Sequence, residues 1–202
     1  MKTKKILGFI FVVLCICTGC RKEAANEMQD NTEKQDMSES QSSVCDNSIK
    51  VAEIYRDIYE RAVEENALDI LEIEEEIINC LGSAGYVAVD GENQIDMVHY
   101  ERVIKFCESA RNGENAEIDI VSLLSLDGFV HYYLNAAKGE IKVTLVTVRW
   151  EEGFPEVTYY HEFSAYTWKY TDGGYLFIEE YHPFGYDGAP GQKGFRVMPL
   201  DK

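Results

Sequence analysis

The hydrophobic period of the chain changes several times, and each change marks a different kind of segment. Ile6 to Ile16 is an apolar run of eleven residues interrupted only by Gly8, well short of the roughly 20 that a membrane-spanning helix needs. Arg21 to Asp46 is rich in Glu, Gln, Asn, Asp and Ser and holds almost no branched apolar residue. Such a stretch buries too little surface to offset its ordering entropy, so a disordered spacer is expected there. From Ser48 a helical beat sets in. Val51, Ile54, Tyr55, Ile58, Tyr59 and Ala62 fall on one side, with Glu53, Arg56, Asp57, Glu60 and Arg61 on the other. Leu68, Leu71, Ile77, Ile78 and Leu81 predict a second helix closing near Gly82 to Gly85. Tyr86 to Val89 alternates as a short strand, Asp90-Gly91 reads as a hairpin-type turn, and residues 99–110 predict a third helix stopped by Asn112-Gly113.

After Glu117 the period switches from 3.6 to 2. Ile118 to Leu124, Phe129 to Ala136, Ile141 to Trp150, Val157 to Tyr170 and Tyr175 to Tyr181 are rich in β-branched and aromatic residues. Asp127-Gly128, Lys138-Gly139, Gly153-Phe154-Pro155 and Asp172-Gly173-Gly174 separate them as turns. Short links make neighbouring strands antiparallel. A loop by composition follows from His182 to Gly191, and Phe195 to Leu200 reads as a further extended stretch. The expectation is one α+β domain over residues 48–202, with its N-terminal helices packed on one face of a twisted antiparallel sheet. That order of elements, over about residues 48 to 182, resembles the NTF2-like or cystatin-like folds. The NTF2-like resemblance implies a cone whose concave sheet encloses a pocket.

Charge and flanks give the first segment its meaning. Lys2, Lys4 and Lys5 precede the apolar run, and Cys17-Thr18-Gly19-Cys20 ends it just before Arg21-Lys22-Glu23. This is the layout of a secretion signal. Small residues at Thr18 and Gly19 directly before a cysteine make residues 1–19 resemble the signal peptide of a bacterial lipoprotein precursor. The usual Leu three residues before that cysteine is Cys17 here. The resemblance implies cleavage before Cys20 and lipidation of its sulfur, with palmitate-like acyl chains anchoring the protein to the extracytoplasmic face of the cell membrane. Two acyl chains suffice for stable anchoring, at about 0.8 kcal/mol per buried methylene. Residues 20–47 would then be the lipidated cysteine and its tether, spanning roughly 25 to 30 Å as a flexible coil. The chain also resembles lipoproteins of Gram-positive gut bacteria that carry no assigned activity.

The formal net charge is −17, and loss of the three leader lysines makes it more negative. Clustered Lys and Arg are what counterion release from nucleic acid requires, so no nucleic-acid partner is expected. An acidic body is also repelled by anionic head groups, leaving the anchor on Cys20 as the membrane contact. Beyond the leader and Cys20 remain Cys45, Cys80 and Cys107. Cys45 sits in the expected tether as an oxidisable thiol. Cys80 and Cys107 lie in helical apolar patterns, either as buried inert thiols or as a bridge between packed helices.

Of His99, His131, His161 and His182, no two have the spacing of a zinc site, and no phosphate loop, nucleophile elbow or calcium loop occurs. Neither metal nor cofactor is expected, and no catalytic residue is assigned. Alternation puts His131 and Tyr133 on one face of their strand, and Tyr159 and His161 on one face of theirs. Should those faces meet inside a concave sheet, His131, Tyr133, Tyr159 and His161 would line an aromatic ligand site. The leading expectation is therefore a membrane-anchored module that binds a small molecule or an envelope protein. A secreted hydrolase of cell-wall or other glycans, using Glu162, Glu179 or Glu180, and a structural envelope component are the alternatives.

Overall fold

A computed structural model describes residues 38–68, 70–124, 127–181 and 192–197, all within the unit Met37–Lys202. The signal segment, Cys20 and the spacer up to residue 37 lie outside the described residues, as do His182 and residues 183–191. The described residues form α1 (Glu39–Ile54), α2 (Arg56–Glu64), α3 (Leu71–Ser83), β1 (Val87–Asp90), α4 (Tyr100–Arg111), β2 (Ala116–Leu123), β3 (Gly128–Ala137), β4 (Glu140–Glu151), β5 (Phe154–Tyr170), β6 (Tyr175–Glu180) and β7 (Gln192–Arg196). The strands pair in chain order, β1 to β7, in one sheet. The class is α+β, as the period switch predicted, with every described helix ahead of β2. Among the described residues, no helix is long and apolar enough to cross a membrane.

The first helix begins earlier than Ser48, so residues 39–47 are not part of a disordered spacer. Ser38 and Gln41 form a reciprocal capping box: the Gln41 backbone N–H donates to Ser38 Oγ at 3.3 Å, and the Ser38 N–H to Gln41 Oε1 at 3.0 Å. The helix needs few apolar residues because only Cys45, Ser48, Val51 and Ala52 of its sixteen are buried. Cys45 is consequently a buried thiol rather than an exposed one. The single helix expected across residues 51–62 is two, meeting at Tyr55. That residue leaves helical geometry and buries its ring, where its hydroxyl accepts a hydrogen bond from Trp150 Nε1 at 3.2 Å.

Asp90-Gly91 does not close a hairpin. The buried Asp90 carboxylate instead accepts from the backbone N–H groups of Glu92, Gln94 and Ile95, at 3.1, 2.8 and 2.8 Å. This sends the chain through a single bridge between Ala88 and Val98 into α4, and back into β2, which runs parallel to β1. The crossover corrects a second expectation. A β-α-β unit lays its helix against the sheet face, and α4 covers the face opposite to α1–α3. Helices therefore pack on both faces, not one. On the α4 side, Val103, Phe106, Cys107 and Ala110 meet Val89, Ile120, Tyr132, Leu134, Val143, Leu176 and Phe195. On the other side, Val51, Tyr55, Ile77, Ile78 and Leu81 meet Val121, Phe129, Val146, Val148 and Trp150. Cys107 and Cys80 belong to these two separate cores and are both free thiols, so they form no bridge.

The sheet curls until it is nearly closed. Asn93, in the loop after β1, donates from Nδ2 to the Gly194 carbonyl at 3.4 Å and accepts from the Arg196 N–H at 2.8 Å. This ties β7 back to the first strand. The α4 side is thus the concave interior, and Tyr132 on β3 reaches across it to Phe195 on β7, edge to face at 5.1 Å.

Candidate functional site

Register fixes which side chains share the concave face. Tyr132 pairs with Leu145, and Leu145 with His161, giving one row across β3, β4 and β5. Leu134, Val143 and Phe163 make the next row. On the far side, Ile178 pairs with Lys193 and Leu176 with Phe195. Where α4 does not reach, these rows leave a cavity of about 270 Å³ lined by Tyr132, Val143, Leu145, Tyr159, His161, Phe163, Ile178, Glu180, Lys193 and Phe195. The β5 side chains form an aromatic ladder: Tyr159 to His161 is 6.0 Å between ring centres, and His161 to Phe163 is 5.5 Å and stacked.

Two polar features interrupt this apolar wall. His161 Nε2 lies 2.8 Å from Glu180 Oε1, with the side chains 36% and 28% exposed. A carboxylate only accepts, so Nε2 carries the proton and, in the neutral ring, Nδ1 is left as an acceptor. Lys193 is half-buried, and its ammonium lies 5.5 Å from the centre of the Phe195 ring. Burial lowers its pKa, opposed by the carboxylates of Asp90 and Glu92. Among the described residues no carboxylate pairs with it directly.

The four residues expected to line one site are split between the two faces. His131 pairs with Val146 and His161 with Leu145, and adjacent residues of β4 point to opposite sides. Tyr159 and His161 are in the cavity, whereas His131 and Tyr133 face α1. A bulge at Thr158 also moves Val157 off the Tyr159 face, into the core beneath the helices. His131 is 1% exposed. Its Nδ1 lies 3.1 Å from Ser48 Oγ, which donates to the Val44 carbonyl at 3.1 Å and lies 3.3 Å from the Tyr133 hydroxyl. Burial brings the His131 pKa down to about 3 and pushes that of Tyr133 up to about 12. With no open path to solvent at Ser48 or His131, this Ser–His contact fastens α1 to the sheet.

Glu162 points to the helix-covered face with Tyr160, which hydrogen-bonds to it. Other hollows are wider and more polar. One of about 890 Å³ runs along the N-terminal end of α1 past Glu117, Asp119, Lys142 and Glu162. Another, of about 490 Å³, is lined by Glu74, Glu92, Arg149 and the other flank of Lys193. Neither has a continuous apolar wall, so the concave cavity is the stronger small-molecule site.

A family model matches residues 41–202, under the description family of unknown function (DUF6070). The chain belongs to the DUF6070 family. The DUF6070 match takes in β1 to β7 and α2 to α4, together with all but the first two residues of α1. Neither the curated proteins nor the solved structures include a match to the chain.

Sequence alternation alone located Tyr159, His161 and Phe163 on one face of this DUF6070 domain. Lys193 went unread, since Gly191-Gln192-Lys193-Gly194 looks like a turn by composition. Its signal is the Lys193-x-Phe195-x-Val197 alternation that runs on from that turn.

Proposed function

We propose that this protein is a membrane-tethered, extracytoplasmic binding module that holds a small molecule on the concave face of an NTF2-like or cystatin-like sheet. The observation that carries the binding reading is the cavity of about 270 Å³ walled by Tyr132, Leu145, Tyr159, His161, Phe163 and Phe195. Aromatic walls with a few convergent polar groups are the usual composition of ligand sites. The His161–Glu180 contact is the feature that favours a hydrolase as second reading, because a carboxylate-held histidine is a general base. Glycoside cleavage, however, asks for two carboxyl groups about 5 to 9 Å apart, and Glu180 is the one carboxylate among the described cavity residues.

Two experiments test the reading. Ligand-observed NMR fragment screening against the wild type and Leu145→Trp, which fills the cavity floor, should give hits that the variant loses. Hits that survive the substitution, or a wild type with none, overturn the pocket. Metabolic labelling with an alkynyl palmitate should mark the wild type and not Cys20→Ala. Equal labelling of both, or labelling of neither, overturns the anchor.

A further inference from the structure

We infer that the cavity selects a small carboxylate with a planar apolar body, its charge on Lys193 and its body against the Tyr159–His161–Phe163 ladder. This rests on the pocket reading above and names its ligand class.

An aromatic cavity with a carboxylate in its wall has two electrostatic options. It takes an organic cation on Glu180 and the ring faces, or an anion on a basic group. The first is blocked twice. Glu180 is already occupied by His161 Nε2 at 2.8 Å, and the Phe195 face is already covered by the Lys193 ammonium at 5.5 Å. A cationic ligand would enter against that ammonium. The second option is open. Lys193 is half-buried in an apolar wall without an ion-pair partner among the described residues, and Asp90 and Glu92 act on it only from a distance. A desolvated ammonium without a partner is costly, and an anion that reaches it restores the lost hydrogen bonds.

Size and shape narrow the class. At packing densities of roughly 0.55 to 0.75, about 270 Å³ holds on the order of ten non-hydrogen atoms. That is one ring and an acid group, not an oligosaccharide or a fatty acyl chain. The nearly parallel rings of His161 and Phe163, 26° apart, present a flat surface suited to stacking a planar body. The imidazole Nδ1, left as an acceptor by the Glu180 contact, offers a hydrogen bond to a ring hydroxyl or N–H of such a ligand.

The test is calorimetric titration of the full-length chain in non-ionic detergent with benzoate, benzyl alcohol and benzylammonium, each against a detergent blank. Benzoate should bind about 10- to 100-fold more tightly than benzyl alcohol, the range of one charge-assisted hydrogen bond. Lys193→Met should erase that preference, and Lys193→Arg should keep it. The ligand comparison on the wild type stands even where Lys193→Met does not fold. Equal binding of benzoate and benzyl alcohol overturns the carboxylate class and leaves an apolar pocket standing. Preference for benzylammonium overturns it in favour of a cation site on Glu180. Binding of none of the three at millimolar concentration overturns the carboxylate class and, together with an empty fragment screen, the pocket as well.

Discussion

Replacing His131 with Phe should change how stability depends on pH, more than stability itself. The imidazole is buried against Tyr86, Phe129 and Tyr133, with ring centres 6.1, 6.4 and 4.1 Å away. Burial holds its pKa at about 3 against an ordinary 6.5. The folded state keeps the ring neutral, while the unfolded chain takes up a proton below pH 6.5. The stability that goes with neutral His131 is therefore fully present above pH 6.5 and drains away as pH falls towards 3. Linkage puts the whole loss at about 4 to 5 kcal/mol, a large share of the roughly 5 to 15 kcal/mol that domains possess. Phe keeps a ring of similar size, takes no proton, and removes an Nε2 that is buried without a hydrogen-bond partner. Ser48 retains the Val44 carbonyl. At pH 8 the variant should thus lie within about 1 kcal/mol of the wild type. Urea unfolding followed by Trp fluorescence at pH 8, 7, 6, 5 and 4 isolates the effect, because acid groups elsewhere titrate equally in both chains. Below pH 6 the difference should tilt towards the variant by about 1.4 kcal/mol per pH unit. Parallel curves from pH 7 to pH 4 would refute the account, since they mean that folded His131 takes its proton as readily as the unfolded chain.

Gly128→Ala should destabilise by about 2 kcal/mol or more, because a Cβ there would lie 2.2 Å from the Val148 carbonyl oxygen and 3.1 Å from the Arg149 backbone; a thermal melt unchanged from the wild type contradicts it. The thiols of Cys45 and Cys107 should resist a maleimide in the folded chain and react only on unfolding. Burial raises both thiol pKa values, that of Cys107 to about 12, and mass spectrometry of alkylated peptides shows whether either reacts early.

Much of the architecture was legible because it rests on local period. The strands from β2 to β6 follow runs of alternating β-branched and aromatic residues, and their turns carry Gly at 128, 139, 153, 173 and 174. What was not legible is long-range or carried by polar side chains. Residues 39–47 look like spacer by composition, yet Ser38 and Gln41 spell a capping box that a search for helix starts would have found. The parallel β1–β2 pairing depends on Asp90 turning its carboxylate back onto three backbone N–H groups, a role that Asp90-Gly91 does not distinguish from a hairpin. The site was half-read for a related reason. Alternation says which residues of one strand share a face, but only the register across β4 says whether two strands present those faces to the same side.

That register separates two chemically similar clusters by a single step along β4. His131 and Tyr133 meet Ser48 beneath α1, whereas His161 and Tyr159 meet Glu180 and the open cavity. Each histidine lies beside aromatic rings and has an oxygen partner, so residue type and neighbours do not tell them apart. Exposure does. At 1% exposed, His131 cannot meet a ligand without unfolding, and its role is confined to the α1–sheet contact. With a side chain 36% exposed, His161 can meet a ligand. Its Glu180 contact then lies within reach of whatever enters between the β5 ladder and Lys193. α4 packs chiefly against β1, β2 and β3 and reaches β5 at Tyr170, whose carbonyl accepts from Arg111 Nη2, yet it contributes no residue to the cavity lining. The described residues that wall the cavity all belong to β3 to β7, so it is a hollow of the curled sheet itself rather than of a seam between helix and sheet.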